Sequence, residues 1–286
     1  VTAADGRVTD RLIQYHLNRA RGGAAMLVTE PLATAPHQKI PTRVRVWNDH
    51  DEDGLKRWAA AVESEDCRLI GQIQDAGRGR HAPGRNYEAI GASALPDDIS
   101  WTVPHILSIA EIETLIGHFA DSAARLKHCG FSGVELSAGH GHLFHQFMSP
   151  YSNERTDLYG GNFDGRMRFM LELISAVREQ CGSQFILGLK LPGVDGIEGS
   201  VDTALSSQIA KRLSATGSVD YVCFAQGAHH RTLEMHIPDG HTERNTNAAI
   251  LASVRASTGA VPVMALGRIG DPAQADAIIE RGEAEL

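Results

Sequence analysis

The sequence predicts an α/β fold, a (β/α)8 barrel, on three observations. Its apolar runs are near-continuous rather than alternating, as parallel strands covered on both faces require. Segments at helical spacing lie between those runs. No glycine-rich GxGxxG follows the first run, which argues against the rival arrangement, an open doubly wound sheet.

In chain order, the sequence opens on a segment that reads as a helix over 9–21, with no strand ahead of it. The runs that read as strands are AAMLVTE (24–30), RLIGQIQ (68–74), FSGVELS (131–137), FILGLKL (185–191), DYVCFA (220–225) and VPVMAL (261–266). The clearest helix spans 109–129, where Ile112, Leu115, Ile116, Phe119, Ala123 and Leu126 form one stripe. Ser108 and Glu111 have capping-box spacing at its start, and Gly130 stops it. A second helix over 201–214 repeats Leu205, Ile209 and Leu213 at intervals of four. The chain closes on RGEAEL, the end of a helix turning into something apolar. One strand added at each end would bring the six strand–helix units to eight. The expectation is therefore a barrel whose first and last strands are missing. No linker-like composition shift or low-complexity segment divides residues 1–286, so a single domain is expected.

At 286 residues the chain can bury a large core, and 42% hydrophobic with 22% charged residues is an ordinary globular composition. A net charge of −8 argues against nucleic acid or an anionic membrane as partner, while leaving room for a local basic pocket. No apolar run reaches the roughly 18–20 residues of a membrane helix, and VTAADGRVTD lacks the pattern of a signal peptide. Cys67, Cys129, Cys181 and Cys223 are scattered and form no CxxC, which fits a reduced, cytoplasmic setting.

In a barrel, chemistry sits where strands end. The second strand ends in Gln72 and Gln74, followed by DAGRGRHAPGR. The third ends in Ser137, His140 and His142, with His145 close behind. Lys190 interrupts the apolar fourth strand, Gln226 and the pair His229–His230 follow the fifth, and Gly267–Arg268 follows the sixth. Glutamine, lysine, histidines and a Gly–Arg phosphate cradle on one rim would suit a phosphorylated aromatic cofactor. A His-x-His pair can also bind metal, but no carboxylate or third ligand follows at ligand spacing, and no metal site is expected.

The stretch HGHLFHQFMSPYSNERTDLYGGNFDGRMRF (140–169) resembles the signature loop of the FMN-dependent Old Yellow Enzyme family. It is most similar to the branch that contains bacterial 2,4-dienoyl-CoA reductase and trimethylamine dehydrogenase. Phe147, Asn153, Arg155, Asp157, Tyr159, Gly160, Gly161, Arg166, Arg168 and Phe169 stand in the motif's places. RARGGAAMLVTE (19–30), GQIQDAGR (71–78), GLKL (188–191) and VPVMALGRI (261–269) extend the likeness along the chain. The resemblance implies a barrel that binds FMN, with Gln72 on the pyrimidine edge and Lys190, in place of a family arginine, near N1 and O2. It implies that Gly267 and Arg268 hold the phosphate and that Pro31 lies against the flavin. NADH or NADPH would be the reductant. It leaves open a 4Fe–4S cluster and FAD in a missing C-terminal part, as in the larger members. A small-molecule substrate and a homo-oligomer are expected.

The departures from the family pattern concern the substrate. Ser137 stands for the first carbonyl-polarising histidine, His140 keeps the second place, and His142 replaces the proton-delivering tyrosine. An imidazole of ordinary pKa about 6.5 gives up a proton near neutrality more readily than a phenol of about 10. His229 aligns with a histidine that helps to protonate the substrate in the dienoyl reductases. The catalytic candidates are thus His140, His142 and His229, with Ser137 and His140 on the substrate. Two reactions compete: NAD(P)H-dependent reduction of an activated C=C bond in an enone or enoyl thioester, and oxidative N-demethylation or dehydrogenation of a small methylated amine. A barrel that only binds a metabolite is the third alternative. Arg78, Arg80 and Arg85 are read either as a solvated loop or as contacts to a substrate phosphate, with His145 packing or capping within its loop.

Overall fold

Helix α1 (Asp10–Arg21) starts where Thr9 turns extended and its hydroxyl accepts the N–H of Leu12 at 3.1 Å. Strand β1 (Met26–Val28), helix α2 (Glu52–Glu63) and strand β2 (Arg68–Ile73) follow, then two short strands, β3 (Ile90–Gly91) and β4 (His105–Ile106). Helix α3 (Ile109–His128) occupies the expected stripe and ends at Gly130, whose φ of +93° suits a residue without Cβ. The chain continues through β5 (Gly133–Ser137), α4 (Leu143–Met148), α5 (Phe163–Cys181), β6 (Ile186–Val194) and α6 (Thr203–Ser214), the last capped by the Asp202 carboxylate. It ends with β7 (Tyr221–Gln226), α7 (Leu233–His236), α8 (Ala248–Val254), β8 (Val263–Met264) and α9 (Pro272–Glu280). This computed structural model describes residues 3–38, 40–79, 88–228 and 231–286.

Each apolar run read as a strand contains one, with shifted limits. The run at 185–191 extends to Val194, past a register shift at Pro192. The runs at 24–30 and 261–266 keep only three and two ladder residues. The β3–β4 pair and the short helices α7 and α8 were not foreseen, because two- to seven-residue elements carry too little periodicity to read.

Backbone contacts divide the chain into two compact units, each assembled from three stretches. The first runs to Asp75 and adds Ile109–Leu136 and Glu172–Leu187. In it β1 pairs with β2 and β2 with β5, all parallel, with Gln72 opposite Glu135. Its core is centred on Trp58, 1% exposed, which meets Phe131 edge-on at 5.6 Å and His16 at 5.0 Å. Burying side chains of this size contributes roughly 1.5–3 kcal/mol each. Gly133 is required where it stands, because a Cβ there would lie 2.3 Å from the carbonyl oxygen of Ile186.

The second unit contains Ala76–Ser108, Ser137–Leu171 and Gly188–Leu286. Here β6, β7 and β8 pair in parallel, with Lys190 opposite Cys223 and Cys223 opposite Met264. The signature loop is a brace. Asn153 Nδ2 donates to the carbonyls of Phe147 and Tyr159, each at 2.7 Å, and Arg155 reaches Asp157 and the carbonyls of Ala92 and Leu107. Phe169 packs edge-on against Phe147 at 4.8 Å and Phe144 at 5.5 Å, anchoring α5 to α4.

Candidate active site

In the first unit, the strand end at Gln72 is polar and buried. The Gln72 N–H donates to Thr29 Oγ1 at 3.0 Å, and its Nε2 donates to Glu135 Oε1 at 2.8 Å. The second bond orients the side-chain amide, whose carbonyl oxygen and second hydrogen have no partner among the described residues. Pro31 is half-buried just after β1, beside Leu32, whose N–H donates to the Gln72 carbonyl at 2.8 Å. Three residues beyond Gln72, the carboxylate of Asp75 is fully buried. It meets His37 Nε2 at 2.6 Å and accepts from Gln38 Nε2 at 2.7 Å. Neither Glu135 nor the His37–Asp75 pair was singled out from sequence. The available signal was a carboxylate directly after GQIQ, at a strand end.

In the second unit, Ser137 ends β5 with 2% exposure, and the N–H of Ala138 donates to the carbonyl of Lys190 at 2.7 Å. The chain then turns through His140 at φ +60° and Gly141 at φ +76°. Two successive left-handed residues make a tight reversal, and a left-handed residue with a Cβ costs roughly 1–2 kcal/mol. The turn carries the His140 ring to the end of β7, where Nδ1 lies 3.1 Å from the carbonyl oxygen of Gln226. A carbonyl only accepts, so Nδ1 bears the hydrogen and Nε2 presents a lone pair. Gln226 is itself held by its Nε2, which donates to the carbonyl of Thr246 at 2.5 Å.

His236, at the end of α7, stacks on His140 with centroids 3.7 Å apart and planes 19° from parallel. His142 completes a cluster of imidazoles, 6.3 Å from His140 and 6.2 Å from His236. Burial, the imidazole of His236 and the ammonium of Lys190 push the His140 pKa down to about 2, so the ring is neutral at physiological pH. Lys190 is half-buried in β6 and lowers the pKa of His140 electrostatically. His236 lies in a segment without periodicity, and nothing in the sequence pointed to it. No group of three or more His, Cys, Asp or Glu residues among those described is arranged to hold a metal ion.

Gly267 and Arg268 follow β8 with φ of +109° and +55°. A Cβ on Gly267 would lie 2.6 Å from Thr246 Oγ1, so the position is closed to other residues. Among the described residues neither backbone N–H donates within the protein, and Arg268 has no acidic partner. Arg78 is 4% exposed, with Nη1 donating to the Pro96 carbonyl at 2.5 Å and Nη2 3.8 Å from Asp98. It is part of the fold rather than of a solvated loop. His229, His230, Arg80 and Arg85 lie outside the described residues.

Comparison with known proteins gives this arrangement a context. The chain is 33% identical over 285 residues to a metal reductase of Desulforamulus reducens, covering 99% of the chain and 42% of that protein. It is 31% identical over 293 residues to an N,N-dimethylglycine/sarcosine dehydrogenase of Chromohalobacter salexigens, covering 100% of the chain and 42% of that protein. A 2-naphthoyl-CoA reductase in complex with 2-naphthoyl-CoA superposes with a TM-score of 0.89 at 25% identity, over 100% of the chain and 46% of its own. The chain thus spans less than half the length of these relatives. The fold is that of a (β/α)8 barrel. Residues 2–286 match the model of the NADH:flavin oxidoreductase / NADH oxidase family, and the chain belongs to that family.

Proposed function

We propose that this protein is an FMN-dependent oxidoreductase that uses NADH or NADPH to reduce an activated C=C bond in an enone or enoyl thioester. Bound FMN would supply hydride transfer at N5. The carrying observation is the cluster of His140, His142 and His236 beside Lys190 at the ends of parallel strands, in a chain of this family. The residues present fit the cofactor. Two backbone N–H groups and an arginine at Gly267–Arg268 that have no partner among the described residues suit a phosphate. The amide of Gln72 suits the edge of a pyrimidine, and Pro31 a ring face. Lys190 would stabilise negative charge on a reduced ring. Ser137 and His140 would orient the substrate, while His142 and His229 would deliver the proton.

A second reading, dehydrogenation or N-demethylation of a small methylated amine, is favoured by one feature. With its hydrogen committed to Gln226, His140 offers Nε2 as an acceptor, which suits an N–H or O–H of a substrate better than a carbonyl oxygen. The similarity to a sarcosine dehydrogenase is consistent with it.

The reading also includes one FMN-binding domain over 1–286, a cytoplasmic setting and a homo-oligomer, with a 4Fe–4S cluster and FAD in a part beyond this chain. The four buried free cysteines fit a reducing compartment. No helix among the described residues is long and apolar enough to cross a membrane. The test is anaerobic flavin reduction by NADH, NADPH and a panel of methylated amines, followed by reoxidation with enones. A colourless protein that takes up no FMN would leave only a metabolite-binding barrel.

A further inference from the structure

His145 has no part in the proposed chemistry, yet its ring is 2% exposed and fully bonded. Nδ1 accepts the N–H of Gly141 at 2.9 Å. A ring nitrogen that accepts an N–H carries no hydrogen, so the ring proton sits on Nε2, which donates to Asp195 Oδ2 at 2.9 Å. Asp195, 1% exposed, takes two further bonds on the same oxygen, from the Ser200 hydroxyl and from the N–H of Val201 at 3.1 Å. Burial pushes its pKa up, but His145 and these donors outweigh burial and hold the carboxyl below its ordinary range. The Asp195 carbonyl accepts from Thr232 Oγ1 at 2.7 Å, which ties the loop after β7 to the same point.

Gly141, the residue that His145 grips, stands between His140 and His142. Its carbonyl is held as well, by Gln146 Nε2 at 2.8 Å. Both polar groups of one peptide segment are thus fixed by side chains of α4. The turn needs such a hold, because His140 sits in the left-handed region without being a glycine.

We propose that His145 is a positioning residue: through the Gly141 N–H it sets the turn that aims His140 and His142, and Asp195 locks the tautomer that makes this possible. The proposal rests on the reading of those two imidazoles as the reactive groups. Its grip is on the backbone of Gly141, between the two rings it aims.

Two amide substitutions separate the two halves of the contact. His145→Asn puts a carbonyl oxygen where Nδ1 stands and cannot reach Asp195. His145→Gln puts an amide nitrogen where Nε2 stands and leaves Gly141 unheld. The readouts are the 15N spectrum of the His140 ring and the rates of both half-reactions in the flavin-loaded protein. His145→Asn should keep the Nδ1–H form of His140 and both rates. His145→Gln should let that ring exchange between tautomers and slow the substrate half-reaction by about tenfold or more, with reduction by NAD(P)H unchanged. The reverse ranking would overturn the proposal, since His145 would then serve Asp195 alone. Two variants indistinguishable from the parent would overturn it as well. Should neither fold, the parent protein decides: an Nε2–H His145 with the Gly141 amide bonded to Nδ1 supports the proposal, and an Nδ1–H form refutes it. These spectra need no turnover, so the grip of His145 on the turn is tested apart from the activity panel, and a failure of the one is distinguishable from a failure of the other.

Discussion

The Nδ1–H of His140 is directed at the carbonyl oxygen of Gln226, 3.1 Å away, so its other ring nitrogen, Nε2, carries a lone pair rather than a proton. That one hydrogen bond bears on the choice between the two proposed reactions. A ring held neutral with Nε2 as acceptor cannot polarise a carbonyl as a donor does. It can hold an amine N–H or a hydroxyl.

His140 should therefore show no protonation step between pH 4 and 8 in an NMR titration, because its pKa is lowered to about 2. A step near the ordinary value of about 6.5 would mean a solvated ring, with His236 and Lys190 elsewhere.

Lys190→Met should lower the reduction potential of bound FMN, since a cation near the ring favours the anionic reduced form. The same change should raise the pKa of His140 by removing one of the charges that depress it. An unchanged potential together with an unchanged His140 titration would take Lys190 out of the site.

His142→Phe should slow the half-reaction in which a carbon is protonated by about tenfold or more, a general acid contributing ~10²–10⁴ in rate. For alkene reduction the slowed step is the oxidative one, and flavin reduction by NAD(P)H is spared. For amine oxidation it is flavin reduction by the amine. Stopped-flow rates equal to wild type in both directions would make the residue architectural.

Acid should destabilise the fold from about pH 6.5 downward. Burial against Trp58 pushes the pKa of His16 down, and that of His140 is pushed down further. Both hold a proton less readily when folded than when unfolded, so stability is full above the unfolded pKa and falls as pH drops toward the folded one. Each such group costs up to about 1.4 kcal/mol per pH unit in that window. His16→Phe should flatten the dependence in urea titrations at pH 7 and 5. An equal slope in both proteins would show that His16 does not contribute.

Asn153→Ala should cost about 1–3 kcal/mol, because the buried carbonyls of Phe147 and Tyr159 lose their donors. Thermal unfolding checks it, and an unchanged midpoint would mean that water replaces the amide.

Much was decided by the sequence alone. Strand runs such as FSGVELS and the stripe of α3 follow from local pattern, since a side chain's period along the backbone is set by helix or strand geometry. Polar residues were legible for the same reason: Gln72 and Lys190 interrupt apolar runs, and His140 follows one closely, where a core strand would be apolar. What only the tertiary structure decided are the pairings between distant stretches. His140 with Gln226 and His236, His145 with Asp195, and His37 with Asp75 join residues 38 to 96 positions apart. A tautomer or a depressed pKa depends on which donor, acceptor or charge stands within a few ångströms. Local pattern fixes the direction in which a side chain leaves the backbone; only the folded chain fixes what it meets.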